Sequence, residues 1–239
     1  AMGAKDVPPV PPLNLVGDFG GGGMLLALGI CAALVETAKS GLGQVIDAAM
    51  TDGSALLMTM MFGMYSAGQW KDERESNLLD GAAHFYGCYE CKDGKYISIG
   101  SIEPQFYASL IENMELDASK FSNQFDKNSW SNLKELIGLR FKEKTRDEWC
   151  KIFTGKDICF APVLSLEESL NNQHNLDRET FVEVAGIKQP APAPRFSRTE
   201  SEIKHPPLKV GSNTPEIIES LSSKIDVSVL TDQKIIRLD

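Results

Sequence analysis

Leu13-Asn14-Leu15-Val16-Gly17-Asp18-Phe19-Gly20-Gly21-Gly22-Gly23 is the stretch on which the reading of this chain turns. One carboxylate stands inside a run of glycines, and the run opens onto Met24 to Lys39, which is apolar nearly all round. That pattern predicts a buried helix, with Lys39 in its last turn and Gly41 and Gly43 as stop signals. Glycines let a ligand approach the backbone closely. A helix start offers unpaired N–H groups and the positive end of the dipole. A carboxylic acid beside such donors suits chemistry in which an oxyanion develops. On local sequence alone, an aspartate that caps the helix is the simpler reading of Asp18. The run is neither a dinucleotide fingerprint nor a P-loop, which needs Gly-Lys-Ser/Thr.

Working outward, Val7-Pro8-Pro9-Val10-Pro11-Pro12 reads as extended linker, because proline fixes φ and removes donors. Gln44 to Ala49 predicts a short strand, and Asp52 a cap for a helix over Ser54 to Gln69. Met58, Met60, Met61 and Met64 lie on that helix. They read as a methionine-rich core face, or as adaptable surface for varied acyl chains, with Met58 and Met61 the candidate contacts. Phe85 to Cys91 and Lys95 to Gly100 flank Lys92-Asp93-Gly94, a hairpin signal. Pro104 to Met114 predicts a helix with proline at its first position, and Trp130 to Phe141 an amphipathic one. Thr145-Arg146-Asp147-Glu148 is a capping box for a helix through Phe153. Ala161 to Leu164 and Phe181 to Val184 are strand candidates, and Gln189 to Pro194 is a proline-rich connector. A terminal helix is expected over Thr214 to Leu221, with a further segment near Asp232 to Arg237. The class is α/β with short strands.

Hydrophobic residues make up 42% and charged residues 24% of 239 residues, the balance of an ordinary globular chain. The longest apolar candidate, Met24 to Val35, falls short of the roughly 18 residues that cross a membrane. No signal peptide opens the chain, so a cytoplasmic location with no membrane partner is expected. A net charge of −9 argues against a nucleic-acid partner, because phosphate backbones select basic faces. The same charge is awkward for any polyanionic ligand: either its phosphate pocket is local, or it lies on residues outside these 239. The five cysteines suit a reducing compartment. Cys88 and Cys91 form a CxxC, but three residues apart on a strand they face opposite sides, so no metal site is expected.

Glu103 is the second candidate for chemistry. It follows a strand and immediately precedes Pro104 at a helix start, where glutamate is a poor cap and the nearby Ser101 was not used. That choice points to another partner for the carboxylate; the bland alternative is a solvated first-turn glutamate. His84, His174 and His205 stand in no catalytic motif and read as surface or structural.

Together these segments resemble a known family. Leu13 to Gly22, Gly43-Gln44-Val45-Ile46-Asp47-Ala48-Ala49-Met50, Asn77-Leu78-Leu79-Asp80-Gly81, Ile102-Glu103-Pro104-Gln105-Phe106-Tyr107, Ala161-Pro162-Val163-Leu164 and Ala191-Pro192-Ala193-Pro194-Arg195-Phe196 are similar, in order, to blocks of the α-methylacyl-CoA racemases. These belong to the family III CoA-transferases, the CaiB/BaiF-like proteins. The resemblance implies the C-terminal portion of such a protein. Its architecture would be the remnant of a doubly wound large domain (residues 1–52), a linker helix (53–86), a smaller α+β domain (87–172), and a return linker with a C-terminal segment (173–239), in an interlocked homodimer. It implies 1,1-proton transfer at the α-carbon of a 2-methylacyl-CoA thioester, with coenzyme A as part of the substrate and no covalently bound cofactor. Asp18 matches the catalytic aspartate, and Glu103 matches the glutamate that supports a catalytic histidine. Gly20 and Gly21 would lie near the coenzyme. The family's histidine lies upstream of the aspartate motif, but only seventeen residues precede Asp18 and none is histidine. The chain is therefore expected to be inactive alone. A family III CoA-transferase, with the aspartate as nucleophile, and a non-catalytic dimeric binding protein are the alternatives. Glu103 within its motif fits the racemases and not the transferases.

Overall fold

A computed structural model describes residues 2–221 and 227–236. The chain divides into two compact units, Ala1–Val163 and Leu164–Asp239.

The first unit opens with helices. Leu15–Met24 is a π-helix, continuous with α1 (Leu25–Ser40), which ends at Gly41 with φ 74. Then come α2 (Met50–Leu57) and α3 (Thr59–Ser66). The π-helix packs chiefly on α2, backbone against backbone. A Cβ placed on Gly53 would lie 2.5 Å from the carbonyl carbon of Gly21, and one on Gly21 would lie 2.8 Å from the Ser54 nitrogen. Only paired glycines permit that approach.

Three expectations are corrected here. The apolar segment is helical but not buried: no residue of α1 is, and Leu28 and Leu34 are 63% and 65% exposed. An all-round apolar helix needs neighbours on every side, and the described residues cover little of it. Gln44 to Ala49 forms no strand, because among the described residues nothing pairs with it and an unpaired strand leaves its backbone groups unsatisfied. The helix expected over Ser54 to Gln69 begins earlier, at Met50, and breaks at Met58, where φ −92 and ψ 8 leave the helical region. Counting uninterrupted apolar residues also understated this region. With the glycine run wound into it, Leu15–Ser40 is one helix of 26 residues, long and apolar enough by length and composition to cross a membrane.

The rest of the first unit is a sheet covered on one face by helices. β1 (Tyr86–Glu90) and β2 (Tyr96–Gly100) form the predicted hairpin, in register from Tyr86 opposite Gly100 to Glu90 opposite Tyr96. Gly94 supplies the positive φ of the turn. β3 (Phe160–Val163) adds antiparallel to β2. Alternation sends Ile97 and Ile99 inward. There they meet Leu110 and Ile111 of α4 (Pro104–Asn113), Leu133, Ile137 and Phe141 of α5 (Trp130–Phe141), and Trp149 and Phe153 of α6 (Arg146–Phe153). The spacing Leu133, Ile137, Phe141 puts one stripe of α5 on the core. Tyr89 stacks on Phe141 at 5.2 Å between centroids, and the Trp149 indole donates to the Phe141 carbonyl at 2.9 Å. Each large side chain buried in this way contributes about 1.5–3 kcal/mol. α6 starts in the predicted capping box: the Glu148 N–H donates to Thr145 Oγ1, and the Glu148 carboxylate accepts from the Thr145 N–H.

The second unit begins with α7 (Leu166–Leu170), started by a second capping box at Ser165 and Glu168, and α8 (Gln173–Asp177), capped by the Asn172 side chain. β4 (Phe181–Val184) pairs with β5 (Ile187–Pro190) across Ala185-Gly186, both at positive φ as a tight hairpin turn requires. β5 takes up Gln189 and Pro190, the first two residues of what read as connector. α9 (Thr214–Leu221) stands where expected, and α10 (Val227–Asp232) lies just before the segment expected near Asp232 to Arg237, which runs partly outside the described residues.

Candidate functional site

Asp18 sits in the first turn of the π-helix, whose N-cap is Asn14. The Phe19 N–H reaches the Asn14 carbonyl at 3.1 Å, the i to i+5 bond of a π-turn. Asp18 therefore caps nothing. Its side chain is exposed and makes no hydrogen bond or ion pair among the described residues. Gly20 lies against the Leu57 side chain, and Gly21 and Gly22 are buried against α2. Met58 and Met61 are half-buried, as is Met64, while Met60 is exposed, so the methionines divide between two sides of the broken helix.

Glu103 is the N-cap residue of α4 and makes no side-chain cap bond. It too is exposed, with no hydrogen-bond partner among the described residues. The backbone around it is tied on every side. Buried Ser101 donates its hydroxyl to the Ile158 carbonyl at 2.5 Å, which explains why it does not cap α4. Gln124, also buried, donates its amide to the carbonyls of Ser101 and Ile102 at 3.0 and 2.9 Å. The Glu103 carbonyl accepts from the Tyr107 N–H at 3.0 Å. Tyr107 in turn is anchored below the helix, its hydroxyl 2.7 Å from Nε2 of fully buried His84. Burial pushes the His84 imidazole down to about 4, and its Nδ1 has no hydrogen-bond partner among the described residues. Cys159 lies close by at φ 58, its carbonyl accepting from the Gly100 N–H. Burial, then the Glu103 and Asp157 carboxylates, hold its thiol above the usual range.

The two candidate carboxylates thus stand on separate frames. Asp18 belongs to the π-helix and α2, and Glu103 to the sheet and α4, with no principal packing contact joining the frames. Gln124, His84 and Tyr107 were not singled out from sequence as supports of Glu103. Their roles arise from contacts over twenty residues or more, for which the chain carries no local signal. Cys88 is exposed and Cys91 buried, so the CxxC thiols do face apart.

The sequence profile of CoA-transferase family III matches residues 1–214. The chain belongs to CoA-transferase family III. Within this family it is 40% identical to the alpha-methylacyl-CoA racemase of Mus musculus over 242 residues, covering 100% of this chain and 63% of that protein. The alpha-methylacyl-CoA racemase of Homo sapiens is 39% identical, with 98% of this chain and 62% of that protein covered. The chain thus spans under two thirds of the length of these family III relatives. Among solved structures, a CaiB/BaiF family protein from Brucella suis superposes with a TM-score of 0.73 at 17% identity, over 92% of this chain and 59% of that one. At that identity the likeness bears on the fold, a mixed α/β architecture with small sheets.

Proposed function

We propose that this family III chain carries the aspartate and glutamate of a site that moves the α-proton of a 2-methylacyl-CoA thioester. The observation that carries the reading is the idleness of both carboxylates. Asp18 and Glu103 are exposed, bond to nothing among the described residues, and yet stand on ordered backbone at helix starts. Identity of 40% to a protein named for that racemisation supports the same reading.

Inverting a carbon by deprotonation and reprotonation needs a group on each face. Asp18 serves one face, and the N–H groups of its helix start can steady the enolate oxygen. The other face needs a base that Glu103 orients. His84 is not that base, being buried and engaged with Tyr107. These 239 residues alone are therefore proposed not to racemise. Residues 1–52 would be part of a doubly wound large domain, with Gly20 near the coenzyme and Met58 and Met61 near the acyl chain. The Glu103 frame would meet Asp18 across a homodimer interface. The exposed apolar residues Leu28 and Leu34 on α1 and Phe62 on α3 support such an interface. Light scattering is expected to give twice the 26.2 kDa chain mass.

The direct test is α-deuterium incorporation into 2-methylacyl-CoA from heavy water. The chain alone should stay at background. Added imidazole, standing in for the second base, should raise exchange, and Asp18→Asn should remove the increment. Equal exchange by wild type and Asp18→Asn would overturn the role of Asp18. Robust inversion of the α-carbon without imidazole, beyond the exchange with retention that one base can support, would overturn the need for a second base.

A further inference from the structure

We propose that His84 is a positioning residue for Glu103: through Tyr107 it holds the first turn of α4 in place, and a proton on its ring lets that turn go. The backbone at Glu103 is tied on two sides. Before it, Gln124 fixes the carbonyls of Ser101 and Ile102. After it, the Glu103 carbonyl accepts from the Tyr107 N–H at 3.0 Å, so Glu103 goes where the first turn of α4 goes. That turn is held by the Tyr107 hydroxyl, 2.7 Å from Nε2 of His84. Among the described residues this is the one side-chain hydrogen bond from the first half of α4 to another element, and it spans 23 residues of chain.

The ring cannot hold a proton where it stands. His84 is fully buried, with the Phe85 ring at 5.1 Å between centroids, Tyr107 of α4 at 5.4 Å and Phe121 of the loop after α4 at 5.9 Å. Tyr89 of β1 donates its hydroxyl to the His84 carbonyl at 2.5 Å, which anchors the backbone whichever way the ring turns. The titratable groups facing the ring from these elements are the two phenols, and burial keeps both protonated, well above the usual range. No carboxylate, lysine or arginine pairs with the ring among the described residues, and desolvation alone pushes it down to about 4. The neutral imidazole is served by Tyr107 at Nε2. The imidazolium would carry N–H at both nitrogens. Nε2–H would keep the phenol oxygen as acceptor, but Nδ1 has no hydrogen-bond partner among the described residues, so a charged donor would be left bare among aromatic rings. The charged ring is therefore stable only when turned out, and turning out breaks the bond to Tyr107. The closed latch binds fewer protons than the open one between about 4 and the ordinary 6.5, so it is shut at neutral pH and opens as pH falls through that window.

The consequence for chemistry rests on Glu103 being the glutamate of the proposed site; the latch itself does not, and its test needs no substrate. Amide hydrogen exchange of the full 15N-labelled chain, corrected for the intrinsic rate at each pH, reads opening at the Tyr107 and Ala108 amides. From pH 7 to pH 5, opening of that turn is expected to rise about 20-fold, the ratio set by a shift from 6.5 to about 4. His84→Gln keeps a polar group within reach of Tyr107 and removes the titration, so it should stay as slow as wild type at pH 7 and show no rise at pH 5. Tyr107→Phe keeps the ring and removes the hydroxyl, so it should open about fivefold faster or more at pH 7 and lose the pH dependence. A wild-type profile flat with pH overturns the latch. So does an equal rise in His84→Gln, or a Tyr107→Phe chain as slow as wild type at pH 7. A chain whose α-deuterium exchange ignores Asp18 would leave all these profiles unchanged, so the latch and the proposed function fail separately.

Discussion

Gly53→Ala sets two effects of opposite sign against each other. In a helix interior, alanine is favoured over glycine by about 1 kcal/mol, so propensity alone predicts stabilisation. The new Cβ, however, would lie 2.5 Å from the Gly21 carbonyl carbon and 2.7 Å from its Cα. Carbon atoms rest at about 3.5–4.0 Å, so the π-helix and α2 would have to part by about 1 Å. Backbone lies on both sides, and no side chain can rotate out of the way. Overpacking of this kind costs about 1–3 kcal/mol, which exceeds the propensity gain. Gly63→Ala is the matched control: it is also helical, on α3, and a Cβ there meets nothing within 4 Å. It should stabilise by about 0.5–1 kcal/mol. Urea denaturation followed by circular dichroism gives the two signs. Hydrogen exchange should show faster opening of Gly17 to Leu26 and Met50 to Leu57 in Gly53→Ala alone. If Gly53→Ala stabilises as Gly63→Ala does, the backbone-to-backbone seam is not how these helices meet.

Three further outcomes are expected. The His84 imidazole, pushed by burial down to about 4, binds fewer protons in the folded than in the unfolded chain between there and its ordinary value near 6.5; stability is complete above that value and falls by on the order of 3 kcal/mol as pH drops through the window, and an NMR titration placing His84 near 6.5 would refute this. Thr145→Ala removes the acceptor of the Glu148 N–H at the start of α6 and should cost about 1 kcal/mol in urea denaturation. Phe141→Ala empties a fully buried position between Tyr89 and Trp149 and should cost about 3–5 kcal/mol, read in the same assay.

The sheet and its helices were legible because their signals are local. Lys92-Asp93-Gly94 dictates a turn, Thr145 and Glu148 dictate a helix start, and Leu133, Ile137 and Phe141 mark the buried stripe, all within a few residues. Among the N-terminal helices the one over Met24 to Lys39 was legible, but its exposure, the helical glycine run and the break at Met58 were not, because they depend on distant partners. Read locally, the glycines only lead into the helix at Met24; opposite Gly53 they wind into the helix themselves, and α2 can approach them. Gln44 to Ala49 has the composition of a strand and, among the described residues, no neighbour to pair with. At the candidate site, Glu103 announced itself as an odd residue at a helix start. Gln124, which fixes the carbonyls before it, sits in a loop after α4 and looks like any polar residue.

The π-helix makes the number of glycines matter as much as their identity. A π-turn holds one residue more between bonded groups than an α-turn, so Leu15–Met24 is sensitive to deletion in a way an ordinary helix is not. Removing a single glycine between Asp18 and α1 would swing Asp18 by about 100° around the axis relative to α1, since each α-helical residue turns by that angle. Every side chain would survive such a deletion, yet the carboxylate would face another direction. Lineages of this chain are therefore expected to exchange Gly23, where a Cβ would meet only the Asp18 carbonyl oxygen at 3.5 Å, more readily than they lose or gain a residue of the run.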